Sequence, residues 1–299
     1  HIEQREDSIL KFRGLTLSAT QVKIIAAVTM LIDHIAKVFH PFHLYIPLGY
    51  YSDCLLEGIG RIAFPIFAYF IAEGCLKTCN IKKYLFSLFA ISIIAEPFYD
   101  FANSQFNYMR YSGENFNVDD PVLAGLTNHV TFWEGSIQNV CFTFFLSALA
   151  VYCWKNYLNR INSAQKPTAL ATLLLALEWV SIYTISLISQ CEYWETAIPL
   201  VVLLHIIKAK IKSNRICLGV LILWAIIEYL VVPQYGQIPL FNSPFISIWY
   251  TIFASLSCVA LSKYDGTEGK KPFSKYFFYF FYPVHLFILG IIREIIIMV

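Results

Sequence analysis

Long apolar runs separated by short basic stretches recur along the whole chain, and nothing else in the sequence limits the fold as strongly. The runs fall at about 20–40, 59–77, 82–102, 138–154, 168–190, 193–208, 214–232, 243–262 and 275–298. Each is close to the roughly 20 residues that a helix needs to cross a hydrocarbon core. Composition agrees. Of 299 residues, 58% are hydrophobic and 14% charged, against about 25% charged in a typical soluble domain. So few charges cannot solvate a surface of this size. The expected fold class is all-α, a polytopic transmembrane helical bundle of about nine spans. A net charge of +2 gives no reason to expect a nucleic-acid binder. The first 18 residues, HIEQREDSILKFRGLTLS, are polar and charged and carry no cleavable signal pattern.

The basic residues set the expected orientation. Arg5, Lys11, Arg13 and Lys23 form one group; Lys77, Lys82 and Lys83 the next; then Lys155, Arg160 and Lys166. Lys208, Lys210, Lys212 and Arg215 follow, and Lys263, Lys270, Lys271 and Lys275 close the series. These stretches hold eighteen of the 22 Lys and Arg residues. The alternate loops hold Lys37 and Arg110, and Arg61 and Arg293 fall inside runs. By the positive-inside rule the N-terminus is cytoplasmic and the C-terminus outside. Residues 1–19 then form a cytoplasmic segment, and 20–299 a single membrane domain with a long, acidic, aromatic-bearing outer loop at 103–137. A loop of that length is usually functional, here as a lid or acceptor-binding wall, or else a disordered surface loop. HPFHLYIPLGYY, after the first run, has room for a short re-entrant element, and its HPFH reads as an interfacial turn rather than a metal site.

The eight cysteines have no metal-binding spacing. Cys75 and Cys79 read as packing thiols. Cys54 and Cys191 fall in loops on the same side, so a disulfide between them is compatible with this topology.

Against this apolar background a few ionisable residues stand out, and such residues usually face a partner or a cavity. Asp33 and His34 interrupt VTMLIDHIAKVF. His34 follows Lys23 by 11 residues, which returns it to nearly the same helix face about 16 Å deeper. His285, in YFFYFFYPVH, stands ten residues above Lys275, about 15 Å deep by the same rise. The two histidines should therefore share a depth, with Pro283 perturbing the helix beside His285. In GRIAFPIFAYFIAEG, Arg61 stands near the outer end of the second run, preceded by Gly58 and Gly60, which permit close backbone approach. Glu96, in the outer half of the third run, and Asp33 are its two candidate partners. His205 and His129 read as packing and loop residues.

The runs IIAAVTMLIDHIAKVF, GRIAFPIFAYFIAEG with Lys77-Thr78-Cys79-Asn80 and Tyr84, KYDGTEG and YFFYFFYPVH resemble the TraX family, which includes F-pilin acetylation proteins. The resemblance runs from about residue 20 to the C-terminus. It is most specific at Met-Leu-Ile-Asp-His, Gly-Arg-Ile-Ala-Phe-Pro and Phe-Tyr-Pro-Val-His. The long outer loop has no clear counterpart, and Phe86-Ser87 stand where the family carries a basic residue.

The resemblance implies a multi-pass protein of the bacterial inner membrane, an acetyltransferase that moves acetyl from cytosolic acetyl-CoA to an amine such as a pilin or peptide N-terminus. Lys23, with Lys82 and Lys83, would hold the phosphates of acetyl-CoA. His34 would act as general base, Asp33 and Arg61 would fix its geometry, and His285 would stabilise the oxyanion or hold the acceptor. Glu96 and Tyr282 would line the acceptor side. A covalent acetyl-histidine is an alternative route. Three further readings remain open: an O-acetyltransferase for surface polysaccharide, a proton-coupled transporter using Asp33, His34 and Glu96, and a non-enzymatic membrane partner of a secretion machine.

Overall fold

The computed structural model describes residues 16–43, 49–111, 132, 138–164, 168–232, 243–269 and 277–298. Lys275, His129 and most of the loop at 103–137 lie outside the described residues, as do the side chains of His40 and His43.

The described chain is helical, with a single isolated bridge, between Leu17 and Tyr264, outside the helices. In chain order the helices are α1 (Ala19–His43), α2 (Gly49–Gly60), α3 (Ala63–Lys77), α4 (Ile81–Tyr111) and α5 (Val140–Ala164). They continue as α6 (Ala169–Ile188), α7 (Ala197–Ile206), α8 (Asn214–Ile226), α9 (Pro244–Ser262) and α10 (Phe277–Met298). Wide π-helical turns extend α7 through Ile207–Ile211 and α8 through Ile227–Val231. Six stretches are long and apolar enough to cross a membrane: Tyr51–Lys77, Ile81–Asn103, Ala169–Ile188, Asn214–Val231, Pro244–Ser262 and Phe277–Ile296. The chain is accordingly an integral membrane protein. Helices also occupy the other three expected positions, as α1, α5 and α7.

Three local expectations are corrected. The backbone of α1 stays helical through His43, so HPFH is not a turn. The run at 59–77 is preceded by α2, which joins it at a break over Arg61 and Ile62. There the Arg61 amide donates to the carbonyls of Glu57 and Gly58, 3.1 and 3.0 Å away. Arg61 therefore lies well inside a 27-residue apolar stretch, not near its end. Finally, α4 continues to Tyr111, so the loop expected from 103 begins as helix.

Local chemistry accounts for the ends. Thr168 caps α6 by accepting from the Ala171 amide, and Ser213 caps α8 by accepting from that of Ile216. The faces sort by burial. On α6 only Ala171, Leu175, Ile182 and Ser186 are buried, a single stripe, while Leu173, Leu177, Val180 and Ile188 are exposed. An apolar helix with one narrow buried stripe suits the rim of a bundle facing lipid. By contrast α1 packs against α2, α3, α4 and α10. That central position buries Asp33, His34 and Lys37. Helices α1 and α2 meet at Gly60, where a Cβ would run into the Asp33 side chain. The same contact sets Arg61 at the level of Asp33.

Candidate functional site: a paired-histidine centre

Helices α1 and α10 bring His34 and His285 into direct contact. His34 Nδ1 lies 2.6 Å from His285 Nε2, and the rings stack with centroids 4.9 Å apart. Both side chains are buried. The other nitrogen of His285, Nδ1, lies 2.6 Å from the carbonyl of Phe281. A carbonyl only accepts, so Nδ1 carries the proton. In neutral His285 the lone pair is then on Nε2, and His34 Nδ1 must be the donor between the rings. This leaves the lone pair of His34 on Nε2. Tyr282 closes the site edge-on, 5.9 Å from the His34 ring, and its buried hydroxyl has no partner among the described residues.

Asp33 does not pair with Arg61. Its Oδ2 lies 2.8 Å from Lys37 Nζ, one turn along the same helix. Lys37, expected in an outer loop, is a buried helical residue whose ammonium also approaches Glu192 at 3.6 Å. Glu192 in turn accepts from the Tyr99 hydroxyl at 3.2 Å. The buried Asp33 carboxylate and the half-buried Glu192 carboxylate thus share one ammonium, an arrangement that keeps each charge compensated.

Arg61 sits in a separate aromatic box. Its NH2 group meets Glu57 at 3.1 Å, its NH1 group donates to the Tyr193 hydroxyl at 3.2 Å, and its guanidinium lies 4.7 Å from the centre of the Tyr250 ring. Glu57 also accepts from the Tyr250 hydroxyl at 2.8 Å. The segment 189–196 links the two groups, since Glu192 reaches Lys37 and Tyr193 reaches Arg61. Gln190 and Tyr193 hold φ values of 45° and 59° there. A bulky side chain at positive φ is strained, and here the strain accompanies two adjacent residues aimed at different partners.

Glu96 does not pair with Arg61 either. It accepts from both the amide and the side chain of Asn139, and Asn139 also donates to Ser92 O at 2.9 Å. His205 packs against Ala72 O at 3.3 Å. Arg293 donates to Ala102 O at 2.7 Å and pairs with Glu294. Cys54 and Cys191 are not joined to each other, so the disulfide compatible with the expected topology is not formed.

At the other end of α1, Lys23 lies over the Phe70 ring at 4.8 Å. Lys82 and Lys83 are exposed on the first turn of α4 and make no contact with Lys23 among the described residues. The structure therefore joins Asp33, His34, Tyr282 and His285 around one centre, with Arg61 nearby, and leaves Lys82 and Lys83 apart. Sequence reasoning missed Lys37, Glu192, Glu57, Tyr193 and Asn139. One signal was available: Asp33 with Lys37, and Glu57 with Arg61, are i,i+4 pairs.

The arrangement provides a buried base with an oriented lone pair. His285 has no N–H left for an oxyanion, because Nδ1 is used by Phe281 and Nε2 by His34. Among the described residues there is no group of three or more His, Cys, Asp or Glu that could hold a metal ion.

A family model described as TraX protein matches residues 18–293 of the chain. The chain is also similar to the probable fimbrial assembly protein FimC, serogroup H1, of Dichelobacter nodosus. The two are 24% identical over 279 residues, covering 93% of this chain and 96% of that protein. No solved structure matches the chain.

Proposed function

The chain belongs to the TraX family, and on that premise we propose that it is an inner-membrane acetyltransferase acting in pilus processing. Acetyl-CoA is the donor and a peptide or pilin amine the acceptor. The observation that carries this reading is the contact between His34 and His285. It supplies a general base inside the bundle, on the same helix as a lysine about 16 Å away. That span suits a pantetheine arm with its phosphates at the rim and its thioester at the histidine. The likeness to a protein named for fimbrial assembly supports a pilin-like acceptor. In this reading the N-terminus is cytoplasmic, the chain spans the membrane about nine times, and the acceptor enters from the outer side.

His34 Nε2 takes a proton from the attacking amine as the nitrogen bonds to the acetyl carbon, and the CoA thiolate leaves. The charge that develops on His34 is shared along Nδ1–H to His285 Nε2 and from His285 Nδ1–H to the Phe281 carbonyl. His285 is therefore a positioning residue, fixing the tautomer of the base. The Asp33–Lys37–Glu192 group holds α1 in register beside it. General-base catalysis of this kind contributes about 10²–10⁴-fold.

The reading is tested by incubating the purified protein in proteoliposomes with acetyl-labelled CoA and, in parallel, a peptide bearing a free N-terminus or an oligosaccharide. Label on the peptide amine supports it. Label on a saccharide hydroxyl instead reassigns the acceptor, and absence of transfer to either overturns the enzyme assignment.

A further inference from the structure

A second charged cluster lies at the Lys23 end of the bundle, built by α1, α3, the π turn after α7 and the segment that follows α9. Its centre is Glu73 on α3. Glu73 Oε1 lies 3.2 Å from Lys77 Nζ and 3.5 Å from Lys208 Nζ, and its Oε2 accepts from the Tyr264 hydroxyl at 3.2 Å. Lys77 Nζ donates to the Tyr264 hydroxyl at 3.3 Å. The Lys208 ammonium stands 3.3 Å from the centre of the Tyr69 ring, and Lys23 lies over Phe70, whose ring is 5.4 Å from that of Tyr264. Two ammonium groups thus meet one carboxylate, and the Lys23 ammonium stands within electrostatic reach of Glu73 and of a second carboxylate, Glu268.

The cluster lacks acceptors. Each ammonium offers three donors, yet the buried Lys208 nitrogen makes no hydrogen bond among the described residues, and its contact with Glu73 is an ion pair only. A desolvated ammonium without acceptors is costly. The π turn Ile207–Ile211 nevertheless holds it inward, with 12% of its side chain exposed. Lys77, at 51%, is open to a ligand.

The residues 263–269, KYDGTEG, fix this end in place. Leu17 N donates to Lys263 O at 2.8 Å, Asp265 N to Leu17 O at 3.0 Å, and Ala19 N to Thr267 O at 2.8 Å. Thr20 Oγ1 donates to Glu268 O at 2.7 Å. Gly269, at φ 78°, packs so closely on Ser18 that a Cβ would collide with it. These bonds set Tyr264 against Glu73 and anchor the turn of α1 that precedes Lys23.

We propose that Lys23, Lys77 and Lys208 form a phosphate-binding site in which Glu73 is the internal anion that a bound phosphate displaces. The choice of donor phosphates as the occupant rests on the acetyl-CoA reading above; the shared chemistry also fits the phosphate of an anionic lipid headgroup. The site replaces Lys82 and Lys83 as the anchor, since both are exposed and apart from it. Displacing Glu73 gives the site a directional signature. Removing a lysine weakens binding, whereas neutralising Glu73 strengthens it.

The test is calorimetric titration of the full chain in phosphatidylcholine nanodiscs with CoA and, separately, inorganic pyrophosphate, using the wild type, Lys208→Ala, Lys208→Arg and Glu73→Gln. The expected result is CoA binding that Lys208→Ala weakens at least about tenfold, that Lys208→Arg largely retains, and that Glu73→Gln tightens. CoA binding unchanged in Lys208→Ala overturns the site and leaves the donor reading standing. Weaker binding in Glu73→Gln also overturns it, making the cluster structural. Lys208-dependent pyrophosphate binding without CoA binding keeps the site and removes the donor reading. Lys208-dependent retention of phosphatidylglycerol by native mass spectrometry, with neither soluble probe bound, assigns the phosphate to lipid. If no probe binds, the proposal fails.

Discussion

His34 Nδ1 and His285 Nε2 lie 2.6 Å apart although 251 residues separate them in the chain. The contact joins the first helix of the bundle to the last, and the Phe281 carbonyl behind His285 gives it a direction. Replacing His285 with Ala should lower kcat by about 10²–10⁴-fold while leaving the KM for acetyl-CoA close to wild type. Gln at this position can still accept from His34 Nδ1 and should recover part of the loss. A purely structural role would give Gln and Ala the same rate in steady-state acetyl-transfer assays.

Lys37 is held between Asp33 at 2.8 Å and Glu192 at 3.6 Å. Removing the ammonium leaves the buried Asp33 carboxylate uncompensated, so Lys37→Met should destabilise the protein by about 3–5 kcal/mol. Adding Asp33→Asn to Lys37→Met should return part of that stability. Thermal unfolding in detergent of the two single variants and the double variant measures this coupling.

Gly60 approaches Asp33 so closely that no Cβ fits between α1 and α2. Gly60→Val should therefore force the helices apart, cost about 1–3 kcal/mol and displace the side chain next to His34. Expression and unfolding temperature report the first effect, and residual turnover the second. Unchanged stability would mean that α2 is not seated on α1 as described.

Lys23 stands on the helix of His34, one cation among those at its end of the bundle. Lys23→Glu should raise the KM for acetyl-CoA with a smaller change in kcat, because an anchor acts on ground state and transition state alike. A loss confined to kcat would argue that Lys23 is not an anchor.

Particular residues show where the sequence was informative. Apolar run length located the helices, and helical rise placed His34 and His285 at one depth; their contact shows how far that local rule reaches. Helix α2 was hidden because Ser52, Asp53 and Glu57 interrupt its apolar pattern, although it pairs along α1. Lys37 was misplaced because charge alone put it in a loop, while the i,i+4 partner Asp33 keeps it in the helix. Arg61 was matched to Asp33 or Glu96 by depth, but Glu57 lies within one turn and Asn139 already occupies Glu96. Glu192 and Tyr193 lie in an aperiodic segment, and which way such a segment aims its side chains is decided by tertiary contacts.

The central claim is that His34 is the base. It is tested most directly by His34→Ala, followed by acetyl transfer from labelled acetyl-CoA to a peptide amine in proteoliposomes. The expected result is a loss of turnover of about 10²–10⁴-fold with acetyl-CoA still bound. Turnover equal to wild type in the folded variant would contradict it.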